Sequence, residues 1–369
     1  MTTDRPAPLL MAVDGNSLLH RAHHAHEHSG QRDAAGRPTW ALRGLVSLIG
    51  SAAGRLTPDA VVVGLDCPGE LVRKGEYPAY KAGRREKTPD LVDQLGEVAG
   101  LLSAAGFPVV QHDGWEADDV LASAAARARA GGWRCTVVTS DRDAFALIDD
   151  TTSVLRVIAG GIDASPLLTP ARLPLLCGVE AGQYRDYAAI RGDVSDNLPG
   201  ALGIGAKTAA KLLAVFACVA DAYSALDDGR EDEVVAAIGA AAARRLADPL
   251  ARANVDRNLR LMTMREDMPV PELEALRVPL DLVRLQAALG RRDIRLGPSL
   301  WALTGGAPSG GDRYSWLADQ DVLPEPDLGR DPDLVPESVR ALLGRPVVKP
   351  KRTVPVQPAV EQQAQLSLF

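Results

Sequence analysis

Four short apolar runs in this chain lead into acids, and that repetition constrains the fold more than any other feature. Leu9 to Val13 runs into Asp14, Ala60 to Leu65 into Asp66, and Cys135 to Ser140 into Asp141 and Asp143. Phe107 to Gln111 leads into Trp115-Glu116-Ala117-Asp118-Asp119-Val120, where three carboxylates open an apolar helix. Between these runs lie helix-length segments, Thr39 to Ala53, Leu91 to Ala105 and Ala117 to Ala130. Strand and helix in alternation predict an α/β fold with parallel strands and right-handed crossovers. In such a sheet the carboxyl ends of the strands share one edge, and ligands bind there.

One acid in a first helical turn is ordinary capping, worth about 0.3 to 1 kcal/mol against the helix dipole. Six or seven carboxylates on one edge repel one another and resist ionisation unless a cation neutralises them. Oxygen donors with no Cys and no required His favour hard cations, Mg2+ or Mn2+.

At 369 residues and 46% hydrophobic, the chain is long enough for a large α/β domain and a smaller second one. Cys67, Cys135, Cys177 and Cys218 form no CxxC pair, so neither a disulfide framework nor a zinc site is expected, and a reducing compartment fits. Met1 to Pro8 lacks a signal-peptide core, and no apolar run approaches the roughly 20 residues of a membrane span. A cytoplasmic protein is the expectation.

A net charge of -7 argues at first against a polyanionic partner. Its distribution argues otherwise. Leu71 to Lys87 carries Arg73, Lys74, Lys81, Arg84, Arg85 and Lys87 against Glu76 and Glu86. A basic surface beside an acidic metal site suits a phosphodiester substrate. Residues 67–88 read as a long loop, and loops of that length inside a domain are usually functional. Tyr77 and Tyr80, interleaved with Lys81, Arg84 and Arg85, suit stacking on bases and contact with phosphates. Five of the six histidines, His20, His23, His24, His26 and His28, crowd into one helix and the loop after it. Their irregular spacing, with a flexible-looking Gly30 to Pro38 beyond, favours a solvated or phosphate-touching segment over a metal site.

After about Thr169 the strands give way to short helices. Gly203-Ile204-Gly205, ahead of a helix carrying Lys207 and Thr208, offers backbone N–H groups to a phosphate. Asp193 and Asp196, shortly upstream, extend the acidic set.

From about Leu9 to Leu303 the chain resembles the bacterial 5′-to-3′ exonuclease and flap endonuclease family, best known as the N-terminal domain of DNA polymerase I. The motifs that carry the resemblance are Val13-Asp14-Gly15, Leu65-Asp66, Tyr80-Lys81-Ala82-Gly83-Arg84, Glu116-Ala117-Asp118-Asp119, Thr139-Ser140-Asp141-Arg142-Asp143, Gly192-Asp193-Val194-Ser195-Asp196-Asn197-Leu198-Pro199-Gly200 and Gly203-Ile204-Gly205-Ala206-Lys207-Thr208-Ala209. The resemblance implies a PIN-like parallel sheet flanked by helices over residues 1–168, with a helical arch at about 67–88. It further implies a helical DNA-binding region over 169–304, with a helix-hairpin-helix at about 192–217 that often holds K+. The family's ligands for two Mg2+ (or Mn2+) ions fall on Asp14, Asp66, Glu116, Asp118, Asp119, Asp141, Asp143, Asp193 and Asp196. Its catalytic arch residues fall on Tyr80, Lys81 and Arg84. DNA contacts are expected from Arg21, Arg73, Arg85, Gly203, Gly205, Lys207 and Thr208. Leu65 stands where the family often has Phe, and the histidine-rich helix is a departure.

The implied function is structure-dependent 5′-to-3′ exonuclease and 5′-flap endonuclease action on DNA with flaps, nicks or RNA primers, by a monomer at the nucleoid. Two rivals are a PIN-like ribonuclease on structured RNA and a non-catalytic binder of branched DNA. The duplex-gripping glycines argue against the first. The full acid set argues against the second, since a binder gains nothing from acids that repel phosphates.

Beyond Thr304 only 65 residues remain, too few for a polymerase or proofreading domain, and they hold nine of the 26 prolines. This reads as a disordered tail, residues 305–369, in which Trp316 and Val339 to Leu343 dock locally. It ends in Gln365-Leu366-Ser367-Leu368-Phe369, which resembles the motif by which bacterial replication proteins bind the sliding clamp. Gln365 would meet polar groups there, and Leu366, Leu368 and Phe369 an apolar pocket. Such an anchor on a tether raises effective concentration at primer junctions, and it marks Phe369 as the expected natural end.

Overall fold

The run Leu9–Asp14 (β1) is buried at all six positions because its two faces meet different layers. Leu10 and Ala12 enter one core, while Leu9, Met11 and Val13 enter another. Burial on both faces belongs to a parallel sheet covered on each side. The computed structural model, which describes residues 6–296 and 298–307, has that sheet. Its further strands are Ala60–Leu65 (β2), Val109–Gln111 (β3), Arg134–Thr139 (β4), Thr152–Arg156 (β5) and Leu167–Leu168 (β6). Their spatial order is β3-β2-β1-β4-β5-β6, parallel except for the antiparallel β6. Asp14 stands opposite Gly64 and Val13 opposite Val138, so β1, β2 and β4 end at one edge.

Strand β3 is shorter than its apolar run. Pro108 has no N–H to give the ladder, and only its carbonyl takes part, accepting from Val63 N at 2.9 Å.

One layer holds Gly15–His26 (α1), Trp40–Leu56 (α2) and Pro89–Ala104, with the short Val72–Glu76 (α3) between, so that Pro89–Ala104 is α4. Leu42, Leu45, Val46 and Ile49 of α2 are fully buried there, and each contributes about 1.5 to 3 kcal/mol. The opposite face carries Ala117–Ala130 (α5). Behind it come Leu173–Cys177 (α6), Tyr184–Arg191 (α7), the hairpin of Gly192–Asp193 (β7) and Leu198–Pro199 (β8), and Ala206–Leu213 (α8). Val219–Asp227 (α9), Glu231–Ile238 (α10), Ala240–Leu246 (α11) and Pro249–Leu261 (α12) complete the helical region. Gly192 and Gly200 pass so closely in that hairpin that a Cβ on either would strike the other's backbone.

The chain then returns to the first layer. Val278 N donates to Asp59 O at 3.0 Å, and Leu280 N to Leu303 O at 2.7 Å. Leu282–Gly290 (α13) and Trp301–Thr304 (α14) share the core of α2 and α4 through Leu285, Leu289 and Leu303.

The segment from Gly30 to Pro38, expected to be flexible, is a tied loop. Asp33 is buried, accepts from Ala35 N at 3.0 Å and Arg37 N at 2.9 Å, and pairs with Arg292 Nε at 2.8 Å. Among the described residues all four cysteines are free, and no helix is long and apolar enough to cross a membrane. Trp316, Val339 to Leu343 and Gln365, Leu366, Leu368 and Phe369 lie outside the described residues.

Candidate active site

The strand ends place the acids. Asp14, the last residue of β1, caps α1: its Oδ1 accepts from Ser17 N at 2.9 Å. Its Oδ2 accepts from Thr139 Oγ1, at the end of β4, at 2.7 Å. The same hydroxyl oxygen accepts from Asp141 N at 2.9 Å, so one threonine sets two acids. Asp66, just after β2, donates its N–H to Asn16 Oδ1 at 3.0 Å, and its own Oδ1 accepts from Ala117 N at 2.9 Å.

Asp14, Asp66, Glu116, Asp118 and Asp141 thereby line one cavity of about 850 Å3. Asp143 and Asp196 meet Glu116 and Asp118 at a narrow recess beside Tyr80. Asp193 does not line either space. Its Oδ1 accepts from Ser195 N at 2.7 Å and Asp196 N at 3.2 Å, which holds the β7–β8 turn in shape.

Withdrawal from water, reinforced by Asp66 and Asp141, pushes the Asp14 carboxyl up to about 7. The same cause, with Asp141 as the strongest like-charge influence, raises Asp118 and Asp143 well above the carboxylate range. Burial also raises Asp66. Carboxylates that resist ionisation for these reasons are relieved by a bound cation. An all-oxygen donor set of this density fits hard divalent ions.

The segment 67–88 supplies positive charge from within the chain. Lys81 Nζ pairs with Glu116 Oε1 and lies 3.8 Å from Asp196 Oδ2. Arg84 Nη2 donates to Asp196 Oδ1 at 2.6 Å, and Tyr80 Oη to Glu116 Oε2 at 3.1 Å. Lys81 N donates to Asp196 O at 2.9 Å and Asn197 Nδ2 to Ala79 O at 2.8 Å, so the segment around Lys81 is anchored on the β7–β8 turn.

Two expectations are corrected. Asp119 does not face the cavity. It is fully buried, and Arg73 grips both its oxygens, Nη1 at 2.7 Å and Nη2 at 2.8 Å. Asp119 also accepts from Glu116 N at 3.2 Å and Arg265 N at 3.0 Å, which leaves little for a metal. Arg73, expected on DNA, is buried too. Its remaining donors go to Glu116 Oε2 at 3.0 Å, Leu261 O at 2.8 Å and Thr263 O at 3.3 Å. The pair is a strut joining α3, α5 and the end of α12.

The other basic positions stay on the surface. Arg21 lines the cavity, and Arg85 is exposed on the arch. Gly203 has a φ of +77°, Gly205 caps α8, and Lys207 is exposed with Thr208 half-buried behind it. None of these four lines the cavity.

Sequence reasoning missed Thr139 and Asn16 as supports of Asp14 and Asp66. A hydroxyl two positions before Asp141, and an amide two after Asp14, were the available signals. It also undervalued the histidine helix. His20 and His24 line the cavity, and burial, with Lys87 nearby, lowers the His20 imidazole to about 4. His23 is only 1% exposed, so the helix is not merely solvated.

Comparison with known proteins agrees with this architecture. Residues 9–171 match the N-terminal resolvase-like domain of 5′-3′ exonucleases, and residues 179–281 match their C-terminal SAM fold. DNA polymerase I of Deinococcus radiodurans is 38% identical over 220 residues, 60% of this chain and 22% of that protein. The Mycobacterium tuberculosis DNA polymerase I is 34% identical over 283 residues, 77% of this chain and 29% of that protein. The chain thus spans about a quarter of the length of these curated relatives. Among solved structures, a bacteriophage T5 flap endonuclease variant, in a pseudo-enzyme-product complex with DNA and metal ions, is 25% identical with a TM-score of 0.53. That match covers 69% of this chain and 88% of the phage protein. The T5 5′-exonuclease with bound zinc shares the fold at 24% identity and a TM-score of 0.53, covering 69% and 89%. With both domains matched in order along one chain, this protein belongs to the 5′-3′ exonuclease family.

Proposed function

We propose that this chain is a structure-dependent 5′-to-3′ exonuclease and 5′-flap endonuclease that hydrolyses phosphodiesters of flapped, nicked or RNA-primed DNA during primer removal and repair. The observation that carries this reading is the gathering of Asp14, Asp66, Glu116, Asp118 and Asp141 around one cavity whose wall also bears Lys81 and Arg84. Asp143, Asp193 and Asp196 add negative charge behind it.

Those carboxylates would hold two divalent ions, Mg2+ or Mn2+, which supply an activated water and steady the leaving oxygen. The chain's own part is positional and electrostatic. Thr139 and Ser17 fix Asp14, and Asn16 fixes the backbone of Asp66. Lys81 and Arg84 bring positive charge to the place where the scissile phosphate gains negative charge. Tyr80 orients Glu116 through its hydroxyl. Gly203, Gly205, Lys207 and Thr208 would grip the duplex backbone at the start of α8, with K+ at the same turn, while Arg21 and Arg85 guide the strand.

The C-terminal Gln365, Leu366, Leu368 and Phe369 extend the reading to the bacterial sliding clamp as partner. We take the enzyme to act as a monomer in the cytoplasm, at the nucleoid. A peptide spanning Pro358 to Phe369 should bind the clamp in the micromolar range by calorimetry and lose binding as the Leu368→Ala, Phe369→Ala peptide. Absence of heat from the first peptide would remove the clamp from the proposal.

The activity is tested with purified protein on a 5′-flap, a nicked duplex and single-stranded RNA, each with Mg2+ or with EDTA. Cleavage of the two DNA substrates only with Mg2+ is expected. Cleavage confined to RNA would favour the ribonuclease, and tight flap binding without turnover would favour the binder.

A further inference from the structure

The histidine-rich helix carries a second donor set, chemically unlike the carboxylate centre. Glu27, in the turn that continues α1, stands four positions after His23 and three after His24, so it neighbours both imidazoles along the helix surface. One ligand atom from each lies within 4.8 Å of the others. His23 is 1% exposed and packs beside the Trp40 ring, with centroids 5.5 Å apart. Its Nε2 lies 3.3 Å from Thr88 Oγ1, and its buried Nδ1 has no hydrogen-bond partner. An imidazole with one nitrogen held by an outer hydroxyl and the other left open has the arrangement of a metal-ligating histidine. His24 and Glu27 are exposed, so two of the three donors face solvent.

We propose that His23, His24 and Glu27 form a binding site for a divalent transition-metal ion of the Zn2+ class, distinct from the carboxylate centre. Two imidazoles and one carboxylate select borderline ions, Zn2+ or Co2+, over Mg2+. Three protein ligands leave a fourth position open. His24 also lines the rim of the large cavity, so an ion here sits beside the path of the substrate and ties α1 to Thr88 at the root of the arch.

The test uses tag-free full-length protein held in saturating Mg2+ and titrated with Zn2+ by calorimetry and with Co2+ by visible absorption. Wild type is expected to bind one Zn2+ more than His24→Ala or Glu27→Gln, and both variants should lose the Co2+ bands. These side chains are exposed, so the variants should keep the wild-type melting temperature in EDTA, and that measurement checks it. An Asp118→Asn, Asp141→Asn protein is expected to retain the extra ion. Equal zinc stoichiometry in wild type, His24→Ala and Glu27→Gln would overturn the site, as would loss of the extra ion in the Asp118→Asn, Asp141→Asn protein.

Discussion

Asp118 and Asp119 are adjacent in the first turn of α5, and the fold gives them opposite surroundings. Asp119 is fully buried and matched by a bidentate arginine. Asp118 accepts no hydrogen bond from the described residues, and withdrawal from water together with Asp141 and Asp14 raises it well above the carboxylate range. The difference teaches how to sort acids in such a cluster. Asp119, whose countercharge is a buried bidentate arginine, holds the structure, and Asp118, left without such a partner, is available to a cation from outside.

The largest expected effect tests the outward-facing half. Asp141→Ala removes a cavity acid but no basic contact. It should lower turnover in Mg2+ by several kcal/mol, about 10^3-fold or more. Flap binding in a gel-shift assay should persist, and near-normal turnover would refute the assignment. The mirror experiment is Asp119→Ala, which takes the bidentate partner from the buried Arg73 guanidinium and leaves it Glu116 and two backbone carbonyls. Breaking a buried pair from one side costs about 3 to 5 kcal/mol, read as a lower urea midpoint in EDTA. If Asp119→Ala were as stable as wild type and Asp141→Ala were not, the sorting would be inverted.

The same contrast marks what the sequence can convey. Strands β1 and β2 were readable because their apolar runs are nearly unbroken and each leads into an acid, and β4 because its β-branched Thr136 to Thr139 also leads into acids. Strand β5 was not, since only Val154 and Leu155 in Thr152–Arg156 are apolar and pairing with β4 decides its state. Within the site, the gathering of acids followed from strand topology, but their sorting did not. Arg73 reaches Asp119 across 46 positions, and nothing local separates Asp118 from Asp119. The loop from Gly30 to Pro38 misled for the same reason, because Arg292, 259 positions away, ties down Asp33. His23 has no periodic signature, and its burial comes from packing on Trp40.

A smaller effect sharpens the role of the arch cations. Lys81 and Arg84 contact the acids yet stand on the cavity wall, so Lys81→Ala and Arg84→Ala should reduce the single-turnover rate by about 10- to 100-fold, with less change in duplex affinity. The acids themselves should report pH. The Asp14 carboxyl is raised to about 7 from an ordinary 3.8, so the folded state holds its proton more tightly than the unfolded one. Its contribution to stability is therefore present at low pH and lost as pH rises from about 4 through 7. Metal competes with that proton, so Mg2+ affinity should climb over the same window and level off above it. Calorimetric Mg2+ titrations between pH 5.5 and 8 should show the climb, flattened in Asp14→Asn.

The smallest effect lies outside the cavity. Lys207 sits in the first turn of α8, after Gly205 and the positive-φ Gly203, on a surface that does not line the cavity. A lysine there can meet a phosphate but cannot touch the reacting atoms, so its loss should act on binding alone. One phosphate contact accounts for about one unit of the slope of log affinity against log salt concentration. Lys207→Ala should lower the salt dependence of duplex binding by about that much while leaving single-turnover cleavage at saturating protein unchanged. Lys81→Ala is expected to show the reverse pattern. Wild-type salt dependence in Lys207→Ala would mean that this end of α8 is ordinary solvated surface. A loss of single-turnover rate would mean that α8 helps to position the scissile phosphate, and the separation between gripping and cutting regions would then fail.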